Sequence, residues 1–266
     1  MPPDCHLNWT EGIDMSKSSQ IKLTDAVSIV FETNGRGYMG FIVELPGAFI
    51  RGATEEEALM KVRREVTQYL KWLGREQKQD HQVQIVQRHR SSLQVEDADT
   101  EILLEADKGA ISEDEFRGLY DLVWLSGETI LRLYNGSPLK DWVDESRIRK
   151  TFYGDTPKTI QETFDHVKST QYYYLSSMEI TAGSEKDFKA IRKSCLKELE
   201  ALYRKNNNLP ISEMDNEMWT LKKVLRRFIW HDRIHSKAMT RMLQKQKQLG
   251  LIEGYEDIFH FMEATS

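Results

Sequence analysis

The sequence has very little cysteine and lacks long apolar runs. Its only cysteines are Cys5 and Cys195, so neither a disulfide framework nor a zinc site built from several thiolates is possible. No apolar stretch in the sequence reaches the roughly 20 residues that a membrane-spanning helix needs. The N-terminus does not show the pattern of a signal peptide. We therefore expect a cytoplasmic protein that does not cross a membrane, with Cys195 as a buried packing residue.

The charge balance also excludes some partners. The formal net charge is −5 in 266 residues, of which 30% are charged and 39% hydrophobic. No overall positive charge draws the chain to nucleic acid, so a nucleic-acid partner is not expected. This length suits one large domain or two domains of ordinary size.

The first residues have no periodic pattern of any kind. We predict that residues 1–19 are a disordered or non-native leader. Met15 follows Glu11 and Gly12, whose codons can form a purine-rich ribosome-binding site. Met15 is therefore the expected translation start, and the alternative is a start at Met1 with an ordinary frayed terminus.

Residues 20–105 alternate between apolar and polar positions, which predicts strands. Strands over 26–32 and 38–45 flank the turn Asn34-Gly35-Arg36-Gly37, and a third strand is predicted over 48–51. Thr54 is the predicted N-cap of a helix whose first turn is acidic. A fourth strand is predicted over 82–88, which gives a small α+β unit of order β-β-β-α-β.

Two stretches of this unit, FETNGRGYMGFIVELPG and the following GATEEEAL, resemble the N-terminal domain of HicB-type antitoxins. The resemblance implies a HicB-like domain over 20–105 that binds a protein partner, which for this family is a HicA toxin. The chain departs from the family after this unit, where a DNA-binding module usually follows.

Residues 112–250 have helical periodicity. A capping box at Ser112, the pair Thr156-Pro157 and the pair Trp219-Thr220 mark three helix starts, and Gly250 follows the last helix. A further helix lies between the second and the last of these. Four long amphipathic helices predict an all-α, up-down four-helix bundle, with residues 251–266 as a C-terminal tail.

Three histidines of these helices are candidate metal ligands. His231 and His235 are one helical turn apart on the predicted fourth helix, so both imidazoles can reach one ion. His166 lies near the buried edge of the predicted second helix and can face them across the bundle. The alternative is a metal-free bundle with three buried, hydrogen-bonded histidines. The other histidines are expected at the surface: His6, His81, His89 and His260.

The segments TIQETFDHVKSTQYYYL and WTLKKVLRRFIWHDRIHSKAMTRML resemble the second and fourth helices of DinB/YfiT-like metal-binding bundles. The resemblance implies that His166, His231 and His235 bind a divalent transition metal, nickel or zinc, with water in the remaining positions. It also implies a small-molecule substrate and, in some members, activation of a low-molecular-weight thiol such as bacillithiol, mycothiol or glutathione. A metal favours this chemistry because it stabilises thiolate. The resemblance therefore predicts a metal-dependent thiol transferase or hydrolase.

Four further residues are candidates for the surroundings of the metal. Glu162, one turn before His166, can hydrogen-bond a ligand or a bound water. Tyr173 and Trp230 are possible walls of a cleft near the ends of the second and fourth helices, where core packing is the alternative for the tyrosine. Arg227, like its neighbour Arg226, can hold an anionic substrate, although charge on a solvated face is the more common explanation.

Two aspartates adjoin the histidines. Asp165 and Asp232 should point away from the metal, because neighbours on a helix do not share a face.

Polar runs within 75–112 predict a domain boundary near 105–112 that few buried contacts cross, so the two domains are expected to fold separately.

The alternative function is non-enzymatic. In this view the HicB-like domain binds a protein or RNA partner and the bundle is a scaffold. A homodimer formed through the bundle remains open in both views.

Overall fold

The computed structural model describes residues 26–76, 81–151, 154–181, 183–209 and 212–262. The predictions made for residues 1–19, for the choice between Met1 and Met15, and for His6 lie outside these ranges. The chain folds as an N-terminal four-stranded sheet followed by a mostly helical part.

The sheet has the strand order β3-β2-β1-β4. Its strands are β1 (Ala26–Thr33), β2 (Tyr38–Ile42), β3 (Phe49–Gly52) and β4 (Gln82–Arg90). β2 pairs antiparallel with both β1 and β3, whereas β4 pairs parallel with β1. The turn between β1 and β2 forms because Asn34 Oδ1 accepts the N–H groups of Arg36 and Gly37, and Gly35 takes a φ of +87°.

The helix predicted after β3 is present as two shorter helices, α1 (Glu55–Leu59) and α2 (Val62–Trp72). Thr54 caps α1, since its side chain accepts the N–H of Glu57 at 3.1 Å. The two helices are separated where the amide of Lys61 donates to the carbonyl of Ala58, three residues back instead of four. The order of sheet and helix elements is otherwise as predicted.

Four long helices make up most of the remaining chain. They are α3 (Glu113–Asn135), α4 (Ile160–Ser176), α5 (Phe188–Asn206) and α6 (Leu221–Gln248). Two small antiparallel ribbons lie between them, β5 (Lys150–Thr151) with β6 (Gly154–Asp155), and β7 (Ser212–Met214) with β8 (Glu217–Trp219). Within the residues that the structure describes, every helix is too short or too polar to traverse a lipid bilayer.

The predicted start of α4 at Thr156-Pro157 is wrong. Thr159 is the N-cap, because its side chain accepts the N–H of Glu162 at 3.0 Å. Thr156 instead donates its hydroxyl to the carbonyl of Arg147 at 2.7 Å. The starts predicted for α3 and α6 are confirmed, with Ser112 and Thr220 as N-caps.

The sheet and the helices contribute to a common hydrophobic cluster. Gly47, with a φ of +83°, approaches α6 so closely that a Cβ there would lie 2.5 Å from Ile229 Cγ2. A fully buried ion pair at 2.7 Å joins Glu65 of α2 to Arg233 of α6. Because such contacts are many, the expectation that a boundary near 105–112 crosses few buried contacts is wrong for the described residues.

The segment assigned to a C-terminal tail also contributes to this core. Phe259 and Phe261 are buried, and the Phe259 ring lies 5.1 Å from that of Trp72. Gln68 donates its side-chain amide to the carbonyl of Phe261 at 3.0 Å. Residues far apart in the sequence thus pack together around α2 and the middle of α6.

Candidate metal centre

The three candidate ligands lie together between α4 and α6. One side-chain nitrogen from each of His166, His231 and His235 lies within 4.8 Å of those of the other two. The Nε2 atoms of His166 and His231 are 3.1 Å apart. The ring centroids of His231 and His235 are 4.3 Å apart, as expected for residues one turn apart on one helix.

This spacing fits a shared transition metal. Two nitrogens bound to zinc at about 2.0–2.1 Å are about 3.3 Å apart in tetrahedral geometry and about 2.9 Å apart in octahedral geometry. The 3.1 Å between His166 Nε2 and His231 Nε2 lies between these values. Without a metal, the same contact is a hydrogen bond in which one neutral imidazole donates and the other accepts.

The surroundings favour the neutral form of all three imidazoles, which is the form that binds metal. His231 is buried and His235 is half-buried, whereas His166, predicted near the buried edge of its helix, is exposed. Partial desolvation lowers the pKa of His166, and stronger desolvation lowers the pKa of His231 and His235 well below the ordinary value. The proximity of the other imidazoles lowers the pKa of His231 and His235 further, and Arg147 adds to the effect on His235. A divalent cation can therefore bind without displacing protons from these rings near neutral pH.

In metal-free protein we expect the free energy of unfolding to fall as the pH falls below about 6.5. Histidines of the unfolded chain then bind protons, whereas folded His231 and His235 do not until a lower pH. Each contributes a slope of up to about 1.4 kcal/mol per pH unit in this window. Urea unfolding with chelator present measures the slope, and an unchanged slope in His231→Asn/His235→Asn protein would refute its assignment to this pair.

The histidines stand at the wall of a cavity of about 1430 Å³. Residues from Arg227 to Arg241 of α6 form one side, and residues of the sheet, α2 and the segment 93–101 form other parts of the lining. The expected position of the cleft, near the ends of two helices, is therefore corrected. The cavity runs alongside the helices because the N-terminal sheet packs against α6.

All four residues predicted to surround the metal line the cavity: Glu162, Tyr173, Trp230 and Arg227. Trp230 is buried, with its ring 6.3 Å from that of His231, and it lines the cavity. Tyr173 also lines the cavity and is 42% exposed, so it can be reached by a ligand. Glu162 lines the cavity, but its carboxylate accepts the N–H of Lys158 at 2.9 Å and so stabilises the first turn of α4. Tyr174 is a further wall, with its ring 5.8 Å from that of His231.

The expectation of a solvated face for Arg226 and Arg227 is wrong, because both side chains are buried and paired. Arg227 also lines the cavity, but it donates to Glu217 at 2.7 Å and to the carbonyl of Thr100. Arg226 donates to Asp107 at 2.6 Å. Since carboxylates already neutralise both guanidinium groups, neither offers a free charge to an anionic substrate.

A buried polar network behind the histidines connects the four long helices. Asp232 of α6 points away from the cavity, as expected, and accepts hydrogen bonds from Arg192 of α5 and Ser126 of α3. Arg192 also donates to Gln171 of α4 at 2.6 Å. This network holds α4 and α6 at the spacing that brings their histidines together. Asp165, the other aspartate, is exposed and accepts from Gln161 at 2.8 Å.

We expect Asp232→Asn to destabilise the protein by about 3–5 kcal/mol, because it leaves the buried Arg192 without its counter-charge. Both side chains are almost fully inaccessible, at 2% and 1% exposure. Replacing the pair together by Arg192→Met and Asp232→Leu should restore much of this loss. Chemical denaturation compares the variants, and a double variant weaker than Asp232→Asn would contradict this explanation.

A second group of possible ligands is Glu32, His89 and Glu101, whose ligand atoms also lie within 4.8 Å of one another. Glu32 is buried and already accepts from Thr100 and from the N–H of Glu101. Because both carboxylate oxygens of Glu32 already accept hydrogen bonds, the three histidines are the better metal site. His89, predicted at the surface, is part-buried, and its Nε2 lies 3.3 Å from Glu101 Oε1.

Sequence reasoning missed the other charged residues of the cavity. Arg241 could have been found, because Ile234, Ala238 and Arg241 follow the i, i+4, i+7 pattern of one helix face and all line the cavity. Arg64 of α2 and Arg147, from the segment before β5, also line it. Nothing local in the sequence connects these two with the histidines.

No protein-family model matches the chain, and comparisons with curated proteins and with solved structures find no match either. The likeness to DinB-like and HicB-like proteins therefore rests on the motifs, and any function rests on the geometry of the cavity.

Proposed function

We propose that this protein binds one divalent transition metal, nickel or zinc, through His166, His231 and His235. The observation that carries the proposal is the convergence of three imidazole nitrogens within 4.8 Å at the wall of a large cavity. Three ligands leave at least one coordination position for water or substrate, which is typical of catalytic metal sites and not of structural ones.

We infer that α3 to α6 form a DinB-like four-helix bundle and that the sheet with α1 and α2 is a HicB-like unit. The order of elements, the two histidine-bearing helix motifs and the hairpin motif support this assignment. In this arrangement the HicB-like unit encloses the metal cavity, because it contributes Tyr38, Arg51 and Lys61 to the lining.

The proposed activity is metal-dependent transfer involving a low-molecular-weight thiol, or hydrolysis of a small molecule. A bound metal would lower the pKa of a thiol or a water that occupies its open coordination position. The histidines would hold the metal, while Tyr173 and Trp230 would provide aromatic walls for the substrate. Cys195 takes no part in this chemistry, because it is buried in the core and burial raises the pKa of its thiol to about 12.

The non-enzymatic alternative is supported by one feature, the outer edge of β4. This strand pairs only with β1 in the described sheet, and Val83 and Val86 are 43% and 55% exposed. An edge strand of this kind can pair with a partner chain. In that case the metal would be structural and the bundle a scaffold.

The test is a spectral titration of cobalt-substituted protein with glutathione. We expect the absorption of cobalt to change as thiolate replaces water, and the apparent affinity to rise with pH until the thiol is ionised. S-methylglutathione is the matched control, because it lacks the thiol and should cause no thiolate band. An unchanged spectrum with every thiol tested, together with a fourth protein ligand on the metal, would favour the scaffold.

A further inference from the structure

The cavity that contains the histidines also contains a group of arginines from four separate parts of the chain. We call them the arginine cluster: Arg51 at β3, Arg64 on α2, Arg147 and Arg149 in the segment before and beside β5, and Arg241 on α6. Arg51 and Arg147 are half-buried, whereas Arg64, Arg149 and Arg241 are exposed. Partial desolvation lowers the pKa of Arg51, Arg147 and Arg241, and another arginine of the cluster lowers each of these pKa values further. All five side chains line this one cavity.

Nearby carboxylates balance part of this positive charge, since Asp144 raises the pKa of Arg147, and Asp97 and Glu96 raise that of Arg51. Arg149 pairs with Asp97 at 2.5 Å, and Arg51 donates to the carbonyl of Glu96. Among the residues that the structure describes, Arg64, Arg147 and Arg241 have no carboxylate within ion-pair distance. The Arg147 side chain donates from its Nε to the carbonyl of Pro157 at 3.3 Å, and its terminal guanidinium nitrogens have no hydrogen-bond partner among the described residues.

The arginine cluster lies beside the proposed metal ligands. Arg147 and His235 line the same cavity. Arg241 follows His235 by six residues on α6, which is about 9 Å along the helix axis at 1.5 Å per residue. A small molecule held at the arginines can thus extend to the histidines. At the other end of the α6 wall, Arg227 is already neutralised by Glu217 at 2.7 Å.

We propose that the arginine cluster is an oxyanion subsite, and that the substrate of the metal site carries a phosphate or carboxylate group which Arg64, Arg147 and Arg241 bind. Guanidinium groups suit such ligands because two parallel N–H donors match two oxygens of a phosphate or carboxylate. The assignment of this group to the substrate rests on the proposed metal function. The subsite itself is defined by the cavity and the unpaired guanidinium groups alone.

The experiment is calorimetric titration of full-length, metal-free protein at low ionic strength with inorganic phosphate and, separately, with malonate. Low salt keeps screening small. We expect saturable binding of at least one of the two anions, and the tighter one identifies the kind of oxyanion. Each of Arg147→Gln and Arg241→Gln should weaken binding by roughly 10-fold, the usual scale for one charge-assisted contact.

The matched control is Arg63→Gln, which removes the same charge from an exposed neighbour of Arg64 that does not line the cavity. Arg64→Gln should weaken anion binding and Arg63→Gln should not. Arg241→Lys keeps the charge but loses the paired donors, so it should fall between wild type and Arg241→Gln. Circular dichroism and thermal unfolding establish that each variant is folded, and Arg64 and Arg241 are exposed enough to be replaced without loss of the core.

Absence of binding by both anions, or equal weakening in Arg63→Gln and Arg64→Gln, would overturn the subsite. Zinc binding is measured on the same variants to separate the two proposals. We expect the double variant Arg147→Gln/Arg241→Gln to lose anion binding and to retain zinc binding. A wild-type protein that binds zinc at the histidines but no anion would overturn the subsite and leave the metal proposal standing, whereas anion binding without zinc binding would do the reverse.

Discussion

Replacing His231 by alanine should weaken zinc binding by roughly 100-fold or more, because even residues that only orient a metal ligand contribute about 10–100-fold. His231 is the most buried of the three, at 6% exposure, and its Nε2 is 3.1 Å from that of His166. Loss of this imidazole leaves two ligands, from different helices, at the wall of an open cavity. Competition with a chromophoric chelator measures the affinity of each protein for zinc.

The matched control is His89→Ala, which removes a histidine from the second possible ligand group. We expect this variant to bind zinc as the wild type does, since both carboxylate oxygens of Glu32 there are already hydrogen-bonded. If His231→Ala protein binds zinc strongly and His89→Ala protein does not, the zinc site is the second group of ligands and not the three histidines.

A fragment that begins at Gly109 should fail to fold, contrary to the expectation of two separately folding domains. The fragment lacks the sheet, α1 and α2, and so exposes the face of α6 around Ile229 and Trp230 that they cover. It also removes Glu65, Tyr69 and Trp72, which surround Arg233 in the full-length protein. Each large apolar side chain that stays exposed costs about 1.5–3 kcal/mol, so the loss of several such contacts is a large part of the 5–15 kcal/mol that typically stabilises a protein.

Circular dichroism and proteolysis of the fragment test this expectation. Mixing it with a second fragment that ends at residue 108 is the control, since the shared core should re-form and restore helical content. A Gly109 fragment that is helical, monomeric and resistant to protease on its own would show that the shared core is dispensable.

Local patterns predicted the parts of this structure that depend on neighbouring residues. The turn at Asn34 to Gly37, the caps at Ser112 and Thr220 and the spacing of His231 and His235 each follow from a few adjacent side chains. The start of α4 shows the limit, because two threonines three residues apart both suit a cap. Thr159 is the cap, since Glu162 follows it at the spacing of a capping box and completes the first turn.

Contacts between distant segments could not be predicted in this way. The two arginines before Phe228 resemble a solvated pair until Asp107 and Glu217 are brought beside them. The packing of the sheet on α6 likewise depends on Gly47 meeting Ile229, about which neither local sequence carries information. For the same reason Arg64 and Arg147 were not recognised as neighbours of the histidines.

Anomalous diffraction from crystals of the zinc-loaded, full-length protein is the most direct test of the metal site. We expect one strong peak at the zinc edge about 2.0–2.1 Å from one nitrogen of each of His166, His231 and His235, with the remaining coordination directed into the cavity. A peak at Glu32, His89 and Glu101 instead, or no peak between the three histidines at saturating zinc, would contradict the proposed metal centre.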